Sequence, residues 1–118
     1  MISLHLPWPI SANSRMGIYR GRAILSKAAR TWYAKAEASV AKQRWKPVKG
    51  PVEIEIQLCA PNKRKYDPDN KIKVILDVLV RAGIIEDDNC TIIRKLTVLV
   101  DDMACEIGTL VFIEEYKA

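Results

Sequence analysis

The residues best suited to chemistry lie in one short segment, where two aspartates flank a proline and a lysine follows. Asp67 and Asp69 stand on either side of Pro68, and Lys73 comes four residues after Asp69. Asp88 follows nineteen residues after Asp69. Because proline favours an extended residue before it and a helix start after it, both flanking carboxylates are expected at the entrance of a helix.

Three carboxylates gathered in one place repel one another unless a cation neutralises them, and oxygen ligands suit magnesium or manganese. Such a metal polarises a phosphodiester and generates hydroxide from bound water. We therefore predict that Asp67, Asp69 and Asp88 hold Mg²⁺, with Mn²⁺ as an alternative ion, and that all three are catalytic. Lys73, one helical turn beyond Asp69, is predicted to stabilise charge on the phosphate or to protonate the departing 3′ oxygen. The spacing permits this cluster but does not require it.

Each of these residues also has a purely structural explanation. Asp67 or Asp69 can serve only as a helix N-cap, which is worth about 1 kcal/mol. Lys73 can pair with Asp69 or with Asp77, and the aspartate pair that ends at Asp88 can be a solvated turn. Asp77 itself is assigned a structural role.

The first half of the chain is predicted to position this segment with one strand and one helix. Residues 2–6 alternate with period two and stop at a Pro-Trp-Pro sequence, which predicts a strand. Residues 10–22 lack periodicity and predict a basic loop. Ser26 is a suitable N-cap for a helix that runs to about Trp45 and is ended by Pro47 and the glycine that follows.

The second half predicts one helix and three strands. Residues 52–58 alternate almost perfectly and predict a strand, whereas residues 61–67 form a charged loop. A helix is expected from Asp69 or Asn70 to about residue 82, with a glycine stop. Residues 91–100 and 106–115 predict two strands joined by a turn around Asp101 and Asp102.

This order of elements predicts one domain over residues 1–118. It is of the α+β class, with two layers in which a mixed β-sheet packs against two main helices. Hydrophobic residues make up 49% of the chain and charged residues 28%, a balance that excludes a disordered chain.

The charge distribution points to a polyanionic partner. The first fifty residues hold ten Lys or Arg against one acidic residue, although the net charge of the whole chain is only +5. Basic side chains that contact phosphates release counterions and so supply much of the affinity for nucleic acids. A solvated basic helix face is the alternative. The predicted DNA-binding residues are Arg15, Arg20, Arg22, Lys27, Arg30, Lys63, Arg64, Lys65 and Tyr66. Tyr66 is included because its ring could stack on an unpaired base, whereas packing on its own domain is the more common use of such a ring.

The cysteines and the single histidine argue against other sites. Cys59, Cys90 and Cys105 are widely spaced, and His5 is alone, so neither a structural zinc site nor a disulfide framework is expected. No apolar run is long enough to span a membrane, and the first residues do not form a secretory signal. We expect a cytoplasmic protein without a small-molecule cofactor.

Several separated motifs resemble the RusA family of Holliday-junction resolvases, phage-derived endonucleases that cut four-way DNA junctions. Residues 7–13 look like the family's P-W-P-P-S-x-N signature, with isoleucine in place of its second proline. Residues 20–26, which lead into the basic helix, resemble the family's next stretch. Residues 67–73 resemble the D-x-D-N-x-x-K core, and residues 82–88 resemble the A-G-x-x-x-D-D that follows it.

The resemblance implies a RusA-like fold and a magnesium-dependent homodimer, each subunit nicking one of two symmetry-related strands of a four-way or branched DNA. It places the family's essential acids on Asp67, Asp69 and Asp88 and its catalytic lysine on Lys73. The implied process is DNA recombination and repair. Two alternatives are a branched-DNA-binding protein that does not cleave and a metal-dependent phosphohydrolase acting on nucleotides. The long basic first half disfavours the second, since a small substrate needs no such surface.

Overall fold

Strands and helices are interspersed along the chain. A computed structural model describes residues 1–101 and 106–117. Its strands are β1 (Ile2–Leu6), β2 (Met16–Tyr19), β3 (Arg22–Leu25), β4 (Val52–Cys59), β5 (Ile93–Asp101) and β6 (Gly108–Glu115), and its helices are α1 (Lys27–Ala41) and α2 (Asp69–Arg81). A short 3-10 turn, Ala12–Ser14, precedes β2. The predicted α+β class with a mixed sheet and two main helices is confirmed.

The main sheet holds four strands in the order β1-β6-β4-β5. Strand β4 pairs in parallel with β5 and antiparallel with β6, and β6 also pairs antiparallel with β1. Parallel neighbours need a crossover connection, and α2 supplies it between β4 and β5. The segment that carries Asp67, Asp69 and Lys73 is therefore built into the crossover, on the helix that joins the two parallel strands.

The core lies between this sheet and the two helices. Alternate residues of β4, such as Ile54 and Ile56, are fully buried, and they pair across the sheet with Ile113 and Val111 of β6. Helix α2 contributes a buried apolar face that includes Ile75. The buried faces of the strands, which repeat with period two, thus pack against the apolar face of α2, which repeats with period 3.6. These two periods are what allowed the elements to be predicted from sequence.

Residues 10–22, expected to be a loop, instead contain half of a β-hairpin, and this expectation is corrected. Strands β2 and β3 pair antiparallel around the two-residue turn Arg20 and Gly21. Both turn residues have positive φ, 52° and 75°, as a tight hairpin turn requires. The side chain of Ile18 is 84% exposed. Because the hairpin buries neither face well, its sequence carries no period-two pattern by which it could be recognised.

Helix α1 ends at Ala41, about one turn before the predicted end at Trp45. The residues that follow form hydrogen bonds with the edge of β1 and with the end of the helix. Gln43 accepts a hydrogen bond from the His5 amide at 2.8 Å and donates one to the His5 carbonyl at 2.7 Å. The Trp45 indole donates to the Val40 carbonyl at 3.1 Å and so satisfies a helix-end acceptor.

The cysteines depart from expectation in one respect. Cys59, buried at the end of β4, takes part in a disulfide, whereas Cys90 is free and exposed. One such bond is not a framework of several bridges, yet the spacing of the cysteines did not predict it. Cys105 and Asp102, and with Asp102 the turn expected there, lie outside the described residues. Within the described ranges, neither helix has the length and apolar character needed to cross a bilayer.

Candidate active site

The entrance of α2 leaves its two aspartates available. The helix begins at Asp69 with Pro68 in the N-cap position, and no side chain among the described residues caps it by a hydrogen bond. Within the same residues, the carboxylate of Asp67 accepts only a long contact of 3.5 Å from the Asn70 amide. Asp67 and Asp69 are both exposed. The alternative in which either aspartate is simply an N-cap is therefore not supported.

Lys73 and Asp88, both predicted to be catalytic, lie next to each other in the structure. After α2 the chain turns at Gly83, where φ is 78°, and folds back along the helix. The Lys73 ammonium consequently lies 3.0 Å from the Asp88 carboxylate and 3.1 Å from that of Asp77. Hydrogen bonds to Asp88 and then to Asp77 raise the pKa of Lys73, so the lysine stays charged at neutral pH. This environment favours the charge-stabilising role of Lys73 over that of proton donor.

Asp77, assigned a structural role from sequence, is the centre of this network. Its half-buried carboxylate accepts hydrogen bonds from the Tyr33 hydroxyl at 2.7 Å and from the Arg15 guanidinium at 3.1 Å, in addition to pairing with Lys73. Burial alone would raise the pKa of Asp77, but the bonds from Tyr33 and Lys73 outweigh it and lower the pKa below its usual value. Burial, followed by the bond to Asp77, raises the pKa of Tyr33 to about 12, so this hydroxyl remains a donor.

The pairing of Lys73 with Asp77 was one of the two structural alternatives offered by the sequence, and the structure shows it. Asp77 lies at i+4 from Lys73, the spacing at which two helical side chains meet. The partners Arg15 and Tyr33 could not be inferred, because they come from distant elements, 62 and 44 residues away. Arg15, predicted to face DNA, is half-buried and directed at Asp77 in this structure.

Asp87 shapes the loop that presents Asp88. Its carboxylate accepts the Asp88 amide at 2.7 Å and the Asn89 side-chain amide at 2.8 Å. The backbone hydrogen bond from Asp88, followed by that from Asn89, lowers the pKa of Asp87. Asp87 therefore holds the turn in which Asp88 faces Lys73, and its own carboxylate is already committed.

The three predicted metal ligands are not assembled around one point. Within residues 1–101 and 106–117, no three His, Cys, Asp or Glu side chains lie close enough together to hold a metal ion. Asp88 reaches Lys73, whereas Asp67 and Asp69 remain at the helix entrance. The donors nevertheless fit a hard divalent cation by type, since all are carboxylates and Asp67 and Asp69 have no strong competing partner among the described residues.

A cleft of about 290 Å³ opens beside the lysine. It is lined by the segment before β2, the end of strand β3, helix α1, helix α2 and the loop that follows α2. Its lining residues are Arg15, Leu25, Tyr33, Lys73, Asp77, Val80, Arg81 and Asp88. Arg81 lies over the Tyr33 ring at 4.4 Å and pairs with Glu37 at 2.7 Å. The cleft thus presents three cationic side chains next to two carboxylates, an arrangement suited to a phosphate group.

Most of the other predicted DNA-binding residues are exposed. They lie on the hairpin and the first turn of α1, or in the loop that leads to α2, and we call them the exposed basic set: Arg20, Arg22, Lys27, Arg30, Lys63, Arg64 and Lys65. In the described part of the chain, none of them forms an ion pair. Their positive charge is therefore available to a partner.

Tyr66 packs within its own domain. Its ring meets the Trp8 ring edge to face, with 5.0 Å between centroids, and both pack against the core. Lys71 of α2 lies 5.3 Å from the centre of the Trp8 ring and donates a hydrogen bond to the Pro9 carbonyl at 3.2 Å. The Pro-Trp-Pro segment thus packs against the entrance of α2 and is hydrogen-bonded to it. This placement favours the packing alternative for Tyr66 over stacking on a base.

Comparison with known proteins gives the class of this molecule. The sequence model of one family, described as Endodeoxyribonuclease RusA, matches residues 7–108, which include the cleft residues and both aspartate motifs. The class is therefore that of endonucleases that hydrolyse phosphodiester bonds in DNA.

Named relatives agree. A protein from Escherichia coli (strain K12), called crossover junction endodeoxyribonuclease RusA, is 34% identical over 88 residues, which cover 73% of this chain and 72% of the relative. A protein of the same name from Aquifex aeolicus (strain VF5) is 45% identical over 38 residues, covering 32% of this chain and 30% of that protein. The chain belongs to the RusA family, and the resemblance stated from its motifs is confirmed.

Proposed function

We propose that this endonuclease resolves four-way DNA junctions by two symmetrical nicks in the presence of Mg²⁺, as a step in DNA recombination and repair. One observation carries the proposal: Lys73 is held beside Asp88 in a cationic cleft, on the helix whose entrance presents Asp67 and Asp69. The relatives named as crossover junction endodeoxyribonucleases support the choice of substrate.

In this proposal Asp67, Asp69 and Asp88 hold the metal ion. When bound, the ion activates water and neutralises charge on the phosphodiester. Lys73, kept protonated by its carboxylate partners, stabilises the negative charge that develops on the phosphate. The exposed basic set binds the phosphates of the junction arms and so directs the scissile strand to the cleft.

A junction has two strands to cut, yet the chain carries one D-x-D-N-x-x-K segment, so we propose a homodimer whose two-fold axis matches that of the junction. The outer strand β5 supports this assembly. Leu96, Leu99 and Val100 on β5 are 42%, 44% and 53% exposed, and an outer strand with apolar side chains readily pairs with another chain. The outer edge of β1, in contrast, is bonded to Gln43.

The decisive experiment compares a four-way junction with a linear duplex of the same sequence. We expect selective, salt-sensitive binding to the junction, and paired nicks in it when Mg²⁺ is added. Selective binding without nicks in Mg²⁺ or Mn²⁺ would establish a branched-DNA-binding protein instead. Equal cleavage of both DNAs would contradict the proposed selectivity for four-way junctions.

Mixed dimers test the assembly. Subunits carrying Asp69→Asn, combined with wild-type subunits, should nick one strand of a junction and leave the symmetry-related strand intact. Light scattering that shows a monomer at working concentrations, together with full cleavage of both strands, would exclude the dimer.

A further inference from the structure

We infer that Asp77 is a positioning residue for the reaction, acting through Lys73. It orients the Lys73 ammonium toward the phosphate site, and the Arg15 guanidinium helps to hold the Asp77 carboxylate in place. The inference rests on the proposed role of Lys73, and it gives a function to a residue that does not belong to the predicted metal set.

The contacts of Asp77 use both of its oxygens. Oδ1 accepts from Lys73 at 3.1 Å, whereas Oδ2 accepts from Tyr33 at 2.7 Å and from Arg15 at 3.1 Å. A carboxylate held from both sides by three donors has one orientation. Because Lys73 spans the gap between Asp77 and Asp88, fixing Asp77 also fixes the direction in which the lysine side chain extends.

The donors come from three separate parts of the fold. Arg15 precedes β2, Tyr33 lies on α1, and Lys73 and Asp77 share one face of α2. The Tyr33 side chain is itself fixed, since it is buried and its ring meets Trp32 edge to face at 5.5 Å. Asp77 is therefore anchored to the core on one side and reaches the cleft on the other, as positioning a flexible lysine requires.

Position matters more than charge alone at this site. Lysine has a long side chain with several rotatable bonds, and it stabilises a transition state only when its ammonium is held at the place where charge develops. A neighbour that merely neutralised Lys73 could be any exposed acid. Asp77 is instead only 19% exposed in its side chain and is oriented by a buried tyrosine, features that a surface ion pair lacks.

The first test replaces Asp77 by asparagine, which keeps the size of the side chain but turns one acceptor into a donor. We expect the single-turnover cleavage rate at saturating junction and Mg²⁺ to fall about tenfold to a hundredfold, the loss typical of a misplaced catalytic group, while junction affinity is retained. Glu114→Gln is the matched control. It makes the same kind of carboxylate-to-amide change on strand β6, at a residue that does not line the cleft, and it should cleave at the wild-type rate.

The second test asks whether Asp77 acts through Lys73. In a Lys73→Ala background, Asp77→Asn should cause no further loss of rate, because the group that it positions is gone. Equal losses in both backgrounds would show that Asp77 acts on something else and would overturn the inference. Excess enzyme and long time courses keep the slow reactions of the alanine background measurable.

A third variant, Tyr33→Phe, applies if Asp77→Asn fails to fold, as judged by circular dichroism and thermal melting. It keeps the ring beneath Arg81 but removes the hydroxyl that holds Asp77. A several-fold slower cleavage with unchanged junction affinity supports the inference, and a wild-type rate overturns it.

The variants also separate failure of the proposed function from failure of this inference. If Lys73→Ala itself cleaves at the wild-type rate, the role in cleavage that the proposed function gives to Lys73 is wrong. If that variant is slow but neither Asp77→Asn nor Tyr33→Phe is, only the positioning role of Asp77 fails.

Discussion

The cleft around Lys73 and the exposed basic set use charge in opposite ways. In the cleft, Lys73, Asp77 and Asp88 are paired at 3.0 to 3.1 Å and partly removed from solvent. The exposed basic set has no ion pairs within the described residues and stands in solvent. Paired, oriented charges suit chemistry, which depends on direction, whereas unpaired surface charges suit binding, which depends on charge density. Substitutions in the two regions should therefore affect different measurements.

The largest effect is expected at the entrance of α2. Asp69→Asn should lower the cleavage rate by about a thousandfold or more, since loss of a metal ligand removes several kcal/mol of transition-state stabilisation. Junction affinity should hold or increase, because one negative charge that repels phosphate is gone. Rate and affinity are measured separately, by single-turnover cleavage and by gel shift without metal. A variant that cuts at nearly the wild-type rate in Mg²⁺ would contradict the assignment.

The next effect concerns the lysine. Lys73→Ala should slow cleavage about a hundredfold, the loss expected when one group that stabilises transition-state charge is removed. The Mg²⁺ concentration that gives half-maximal rate should not change, since Lys73 is not assigned to the metal. Titration of Mg²⁺ under single-turnover conditions measures both quantities. An unchanged rate would reduce Lys73 to a surface ion pair, worth about 0–1 kcal/mol.

The exposed basic set should show the opposite pattern. Replacing Arg20 and Arg22 together by glutamine should weaken junction binding and flatten the plot of log affinity against log salt by about 0.9 for each phosphate that is no longer neutralised. Cleavage at saturating enzyme should stay close to wild type. Lys46 and Lys49, exposed cations outside this set, provide the matched double variant, which should leave the slope unchanged. If both double variants behave alike, Arg20 and Arg22 are only solvated charge.

The smallest effect on DNA binding and cleavage is expected at Tyr66. In the sequence this residue lies between Lys65 of the exposed basic set and Asp67 at the entrance of α2. Tyr66→Ala removes the ring that packs against Trp8 and should lower the free energy of unfolding by about 2 kcal/mol. Junction affinity, measured at a temperature where the variant is folded, should not change. Chemical denaturation and gel shifts check the two statements. A loss of affinity with normal stability would instead support stacking of this ring on DNA.

The elements with one buried face could be predicted from sequence. Strand β4 alternates because Ile54 and Ile56 face the core while Glu53 and Glu55 do not, and the start of α1 is marked by Ser26, whose hydroxyl accepts the Ala29 amide at 3.1 Å. The hairpin could not be predicted, because periodicity reports burial and the hairpin has little. The same principle explains why Val52 to Cys59 was easy to assign and residues 16–25 were not.

The candidate site was predictable only in part. The motifs identified Lys73 and Asp88 as candidate site residues, but their pairing was not predicted, because the fold-back of the chain after Gly83 that permits it has no signature in spacing. The contacts of Asp77 with Arg15 and Tyr33 were not predicted, because these partners are far away in sequence. Local patterns identify groups that could react, whereas the contacts that orient them depend on packing of the whole domain.

The Arg15 to Asp77 ion pair also bears on the order of folding. It closes a loop of 62 residues, and such long-range contacts form late because their entropic cost precedes any gain. Asp69 and Lys73, by contrast, lie one turn apart on α2, so their relative placement is set as soon as that turn forms. If Asp77 positions Lys73 as we propose, a nascent or partly folded chain carries these residues without the alignment that the complete tertiary structure provides. Under that proposal, nuclease competence is acquired late in folding, when the N-terminal segment docks against α2.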